Sequence, residues 1–162
     1  MNDKYLKLRE DLTPINTQVG IIVQFSQQLE LGIKYAMALL ADINSSDESD
    51  SKFDDEYDAF SKLTLGRLVG RLKGVMENSE YAASVLEEAV KRRNYIIHEL
   101  FSERCEAIAT PEGRKEVLAY IAESRVVIYD ANMAIHSIIP KLMELNGLDP
   151  EKMHRETYDA IR

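Results

Sequence analysis

Hydrophobic side chains recur mostly at steps of three, four or seven residues along the first part of the chain, which places them on one face of a helix. The members of this series are Ile15, Val19, Ile22, Leu29, Ile33, Met37 and Leu40. The pattern predicts one long helix from Thr13 to Ile43. Thr13 is its expected cap, and Pro14 suits the first helical position, where a missing N–H costs nothing. The residues before Thr13 are interpreted as a short separate helix.

A polar and acidic segment interrupts this pattern at about residues 44–52. It has no apolar periodicity and is interpreted as a solvated loop. A calcium site is disfavoured because the segment lacks the carboxylate spacing and the glycine of an EF-hand loop. Beyond it, Phe53, Tyr57 and Phe60 indicate a short amphipathic helical turn.

A second main helix is predicted to begin near Leu63, and three glycines lie four residues apart along it: Gly66, Gly70 and Gly74. Each glycine lowers helix stability by about 1 kcal/mol relative to alanine, so the close approach of a neighbouring helix is the expected compensation. A phosphate-binding loop is disfavoured because no strand precedes the glycines and no Lys-Ser or Lys-Thr follows them.

Two further main helices are predicted in the second half of the chain. Asn78 or Ser79 can cap the third, whose apolar positions continue to Leu100. Thr110, followed by a proline and an acid, is typical of a helix start and begins the fourth. This fourth helix is long and ends just before Gly147, a residue type suited to the position after a helix.

One last short helix is predicted from Asp149, and no repeat or alternating strand pattern is visible. The elements therefore predict an all-α protein, an antiparallel helical bundle of four main helices plus short extra helices. A chain of 162 residues can bury a core without a disulfide or a structural metal, so a single domain over residues 1–162 is expected.

The composition excludes several classes of protein. Cys105 is the only cysteine, so no disulfide can form within the chain. The first residues lack the apolar run of a signal peptide, and no segment reaches about 18 uncharged apolar residues. Membrane spanning is therefore not expected, and the reducing cytoplasm is the expected location.

The net charge of −8 at first argues against RNA as a partner, because proteins that bind nucleic acid usually present a basic surface. Most of this charge comes from one region, where Lys52 is the only base. The acids of that region are Asp42, Asp47, Glu48, Asp50, Asp54, Asp55, Glu56 and Asp58. The rest of the chain is close to neutral, which leaves room for a local basic patch.

Such a patch occurs on the predicted third helix, where Lys91, Arg92 and Arg93 precede Asn94 and His98. On an α-helix Asn94 and His98 share a face, and Arg93 stands about 140° from His98, so Arg93 and His98 border one ridge with Asn94 between them. Histidine can transfer protons near neutral pH, and a guanidinium can hold a phosphate by two parallel hydrogen bonds. These are the groups that RNA cleavage without a metal requires.

A structural alternative also exists, because Glu87 and Glu88 stand four residues before Lys91 and Arg92 and could pair with them on a solvated helix face. His136 and His154 lie 18 residues apart with no cysteine or carboxylate at zinc-ligand spacing, and Cys105 has no evident activating base. The sequence therefore predicts no metal site and no cofactor.

The segment from Arg93 to His98 resembles the Arg-polar-x-x-x-His motif of the HEPN superfamily, whose members are short helical bundles that commonly dimerise and often act as ribonucleases. The resemblance implies that Arg93 stabilises phosphate, that Asn94 orients the phosphate or the histidine, and that His98 is the general base or acid. HEPN toxins paired with a nucleotidyltransferase antitoxin often carry a tyrosine two residues after the histidine, where this chain has Leu100. Regulation through such a tyrosine is therefore not expected.

The leading hypothesis for function is a metal-independent endoribonuclease, acting as a toxin or as a defence or stress effector. Arg93, Asn94 and His98 are its expected catalytic residues, and Arg92 and Lys91 are expected to bind the substrate. RNA, a second copy of the chain and an antitoxin protein are the expected partners, and cleavage by 2′-hydroxyl attack would occur at a composite dimer site. The alternatives are a non-catalytic HEPN-like module that binds nucleotides or proteins, and a purely structural bundle.

Overall fold

The computed structural model describes residues 3–43, 53–75 and 80–152. These residues form α1 (Asp3–Ile43), α2 (Phe53–Ser61), α3 (Leu65–Val75), α4 (Glu80–Asn94), a π-helical turn (Tyr95–Glu99), α5 (Leu100–Glu103), α6 (Cys105–Ile108) and α7 (Pro111–Leu145). No described residue lies in a strand, so the prediction of an all-α helical bundle is confirmed. The predicted acidic loop and the predicted caps Asn78 and Ser79 lie outside the described residues. Within those ranges, no helix is both long enough and apolar enough to cross a membrane.

The contacts divide the chain into two compact units. Unit 1 comprises Met1–Gln28 and Glu80–Ala131, and unit 2 comprises Leu29–Ser79 and Asn132–Arg162. Each unit therefore takes one part of α1 and one part of α7. The residues of the predicted catalytic motif belong to unit 1.

The first helix begins at residue 3, so the predicted helix start at Thr13 and the separate helix before it are wrong. The Thr13 hydroxyl donates to the carbonyl four residues earlier, at 3.0 Å, as a side chain inside a helix does. Pro14 lies within the helix, where it removes one backbone donor. Asp11 Oδ2 accepts a hydrogen bond of 2.9 Å from Arg114 Nη2, which ties this part of α1 to α7.

The core of unit 1 comes from one face each of α1, α4 and α7, with contributions from the short elements between them. Its buried hydrophobic residues are Ile15, Ile22, Leu86, Ala89, Ile96, Leu100, Ile108, Val117, Ile121, Ile128 and Ala131. Because Ile96 is buried in the π-helical turn itself, this turn is held against the core by its own side chain.

The start of α7 confirms the predicted cap at Thr110, because the backbone N–H of Gly113 donates to Thr110 Oγ1 at 3.1 Å. Gly113 is buried, and a Cβ atom placed on it would overlap the backbone of Ala107 in α6. Only a glycine therefore allows α6 to pass so close to the first turn of α7.

Unit 2 also has an apolar core. Its buried hydrophobic residues are Leu29, Ile33, Ala36, Met37, Ala38, Leu39, Phe60, Leu65, Leu68, Val69, Leu72, Ile135, Leu142 and Met143. The close helix approach expected for the α3 glycines is wrong for Gly70, which is exposed and whose Cβ would meet nothing within 4 Å. Gly66 is also exposed. The close approach occurs instead at Gly32 of α1, where a Cβ would lie 3.0 Å from Ile135 Cγ2 of α7.

The end of α7 confirms the prediction for Gly147, which has a positive φ of 71°. Leu148 N donates to Met143 O at 2.9 Å, and Gly147 N donates to Glu144 O at 3.0 Å. This pair of bonds is the Schellman arrangement. The next helical residues begin at Pro150, as predicted, because Asp149 Oδ1 accepts hydrogen bonds from the two backbone N–H groups that follow the proline.

Candidate functional site

The predicted motif lies where α4 changes into a π-helical turn. α4 ends at Asn94, and the backbone N–H of Leu100 donates to the carbonyl of Tyr95, five residues earlier. The expected uninterrupted α-helix is therefore wrong, and the angle of about 140° between Arg93 and His98 that follows from it does not apply. A π turn accommodates one extra residue, so side chains five apart along the chain come to the same side of the helix. Such turns occur frequently at functional sites.

The structure brings the three predicted catalytic residues together. Arg93 Nη1 donates to Asn94 Oδ1 at 2.9 Å and lies 3.4 Å from His98 Nε2. Asn94 and His98 are exposed, and Arg93 is half-buried. A cation, an amide and an imidazole therefore share one surface of unit 1.

The contact between Arg93 and His98 determines which imidazole nitrogen can act as an acceptor. A guanidinium has only donors, so the hydrogen-bonded form of this contact requires a lone pair on His98 Nε2 and a proton on Nδ1. Because Nε2 has a single lone pair, it can accept a proton from a hydroxyl only after Arg93 Nη1 has turned to another partner, such as a phosphate.

The guanidinium of Arg93 is not fully satisfied by its neighbours. Its Nε is buried and has no hydrogen-bond partner within the residues that the structure describes. A buried unpaired donor costs about 1–3 kcal/mol of stability. Groups of this kind are rare in folded proteins.

Of the two predicted substrate-binding cations, Arg92 is held by other side chains. Arg92 Nε donates to Glu88 Oε1 at 2.7 Å, and its Nη1 lies 3.4 Å from the hydroxyl of Ser124. Its guanidinium also lies over the ring of Tyr120, 5.7 Å from the centroid. The structural alternative therefore holds for Glu88 and Arg92, whereas Lys91 is exposed to solvent.

An open groove of about 430 Å³ lies beside the motif. Its lining residues are Glu88, Lys91, Arg92, Asn94, Tyr95, Glu99 and Tyr120. The rings of Tyr95 and Tyr120 meet edge to face, with centroids 5.3 Å apart. Arg104 Nε donates to the Tyr95 hydroxyl at 3.2 Å, and this hydrogen bond is the main cause of the raised pKa of Arg104.

Sequence reasoning missed Tyr95, Glu99 and Tyr120 as site residues. Tyr95 and Glu99 lie four apart within the motif segment, and this spacing could have placed them on one face. Tyr120 comes from α7, and no local pattern relates it to the motif. Within the described ranges, no group of three or more His, Cys, Asp or Glu side chains is placed to hold a metal ion.

The sequence is similar to the anguibactin system regulator of Vibrio anguillarum, with 29% identity over 85 residues. A second sequence of that name from the same species is 28% identical over 85 residues. The match covers 52% of this chain but only 8% of the length of these relatives. No protein-family model matches the chain, and no solved structure matches it.

Proposed function

We propose that this chain is a metal-independent endoribonuclease whose site is built on Arg93, Asn94 and His98. The observation that carries the proposal is the distance of 3.4 Å between Nη1 of Arg93, near the end of α4, and Nε2 of the exposed His98 in the π-helical turn. The resemblance of this segment to the HEPN motif supports the same assignment.

In the proposed reaction, Arg93 Nη1 moves from His98 Nε2 to the phosphate, and Nε2 then takes the proton of an RNA 2′-hydroxyl while the 2′-oxygen attacks the adjacent phosphorus. The bond between phosphorus and the 5′-oxygen breaks, and the departing 5′-oxygen takes up a proton from water or from the His98 of a second copy of the chain. The products are a 2′,3′-cyclic phosphate and a 5′-hydroxyl. Arg93 stabilises the negative charge that develops on the phosphoryl oxygens, and Asn94 holds the guanidinium in place.

The composite site of the proposal forms when the motif helices of two copies approach each other across a two-fold axis. Each copy would then contribute one Arg93 and one His98 to a shared RNA-binding groove. The biological role that fits such an enzyme is that of a toxin or a defence or stress effector in the cytoplasm, with an antitoxin protein as its regulator. Light scattering at micromolar concentration should give twice the chain mass of 18.5 kDa.

The test compares cleavage of single-stranded RNA by the wild type, by His98→Ala and by Arg93→Ala, all in EDTA. Loss of proton transfer should lower the rate by about 10²–10⁴-fold, and loss of the positioned cation should lower it nearly as much. His136→Ala is the matched control, because His136 is an exposed histidine of α7 in unit 2. Equal rates for the wild type and His98→Ala would refute the proposal, as would a wild type that cuts no RNA.

The second candidate is a non-catalytic module that binds nucleotides or a protein through the same surface. The similarity to a protein named as a system regulator favours this candidate. Expression in a bacterial host separates the two candidates. A ribonuclease should slow growth in a manner that His98→Ala abolishes, whereas a binding module should leave growth unaffected by that substitution.

A further inference from the structure

The groove of unit 1 is connected to the proposed cleavage site through one side chain. Asn94 lines the groove, and its Oδ1 also accepts the hydrogen bond from Arg93 Nη1. If the phosphate of an RNA strand contacts Arg93 and His98, the base of the same or the next nucleotide therefore lies beside Asn94. This step of the argument rests on the proposed function.

The groove suits a base better than a phosphate. Its two carboxylates, Glu88 and Glu99, are balanced by Lys91 and Arg92, so the groove has no net positive charge that would favour a phosphate. Tyr95, Tyr120 and the guanidinium of Arg92 supply aromatic and planar groups. Single-stranded RNA bases commonly stack on such groups.

The polar groups of the groove indicate which base would fit. The Glu99 carboxylate is exposed and makes no ion pair within the described part of the chain, whereas Glu88 is already paired with Arg92. A carboxylate has only acceptors, so it pairs best with two adjacent donors. Guanine presents such a pair in its N1–H and its exocyclic amine, and the other three RNA bases each present only one donor group on that edge.

Lys91 adds the complementary interaction. It lines the same groove and is exposed, and a lysine ammonium is a common partner for the O6 and N7 acceptors of guanine. We propose that this groove is a guanine-binding subsite, in which Glu99 accepts from the N1–H and amine of the base while Lys91 donates to its O6 and N7. The enzyme would accordingly cut RNA next to guanosine.

The test measures binding separately from cleavage. A seven-nucleotide 2′-O-methyl oligouridine cannot react, because its 2′-oxygens are blocked, and a second oligomer carries one central guanosine in place of uridine. Fluorescence anisotropy with the full chain should show the guanosine oligomer binding about tenfold or more tightly, the discrimination expected of a good bidentate contact. Oligomers with a central adenosine or cytidine should bind like the oligouridine.

Glu99→Gln should remove this preference by converting an acceptor-only group into an amide. Glu103→Gln is the matched control, because Glu103 is an exposed carboxylate four residues further along that does not line the groove. His98→Ala should retain the preference for guanosine. A wild-type protein that binds the guanosine oligomer selectively but cuts no RNA would refute the proposed function and support the subsite. Equal affinity for all four oligomers, binding of none of them, or an undiminished preference in Glu99→Gln would overturn the subsite.

Discussion

The junction between α6 and α7 gives the sharpest prediction for stability, because it depends on a single missing methyl group. Gly113 lies in the first turn of α7, and a Cβ added there would overlap the backbone of Ala107. No rotamer change can relieve a contact with backbone atoms. Gly113→Ala must therefore push α6 away from α7 or distort the first turn of α7.

The expected cost follows from three contributions. Forcing a methyl group into packed backbone costs about 1–3 kcal/mol. A shift of the junction also weakens the hydrogen bond from Gly113 N to Thr110 Oγ1, worth about 1 kcal/mol as a helix cap. Alanine returns about 0.5–1 kcal/mol through its higher helix propensity. The net loss expected for Gly113→Ala is therefore about 2 kcal/mol.

Gly20→Ala is the matched control. Gly20 is exposed inside α1, and a Cβ on it would meet nothing within 4 Å, so only the propensity gain of about 0.5–1 kcal/mol applies. The two variants should then differ by about 3 kcal/mol, which corresponds to roughly 6–12 °C in Tm for a chain of this size.

Urea unfolding followed by circular dichroism measures the difference. The midpoint should fall for Gly113→Ala and rise for Gly20→Ala, with the slope unchanged. If Gly113→Ala were as stable as Gly20→Ala, the close approach of α6 to α7 would be refuted. In that case α7 would not be held in the register that presents Tyr120 and Ser124 to the motif.

Three further predictions concern stability. Arg114→Ala should lower the free energy of unfolding by about 1.5–3 kcal/mol, because Arg114 donates hydrogen bonds to both Asp11 and the backbone carbonyl of residue 108. A loss of less than about 0.5 kcal/mol in urea unfolding would contradict this prediction. Gly147→Ala should cost about 1–2 kcal/mol, since its positive φ disfavours a Cβ, and an unchanged Tm would argue against the left-handed cap. Burial raises the pKa of Tyr35 above its ordinary value of 10.0. The stability that this neutral side chain contributes is therefore complete below pH 10 and is lost as the pH rises towards the raised pKa. In parallel thermal melts above pH 10, Tyr35→Phe should lose less stability than the wild type.

Several features of this protein could be predicted from local sequence because their causes are local. Helical spacing of hydrophobic residues predicted the main helices, since residues three and four apart share a helix face whatever surrounds them. The cap at Thr110 and the left-handed residue Gly147 were predicted because capping depends on the hydrogen-bonding and conformational properties of single residues. The motif segment was also evident as a sequence, although only as a set of residue types.

Other features depend on contacts between distant parts of the chain, and local patterns did not predict them. Helix α1 continues on both sides of Pro14, and Arg114, about a hundred residues away, contacts Asp11 in this part of the helix. A close helix approach was expected at Gly70, where a Cβ would meet nothing within 4 Å, whereas Gly32 shows such an approach.

The candidate site shows the same division. Sequence alone pointed to Arg93, Asn94 and His98 and placed them along one ridge of a regular α-helix, but it did not predict the π-helical turn. The π-helical turn, held in place by the burial of Ile96, brings the two side chains to 3.4 Å. Tyr120 reaches the groove only because α7 packs beside α4, through contacts that include the guanidinium of Arg92. The sequence gives the residue types of the site directly. The distances between their side chains depend on which helix faces are buried in the core, and this is determined by the apolar burial of the whole unit.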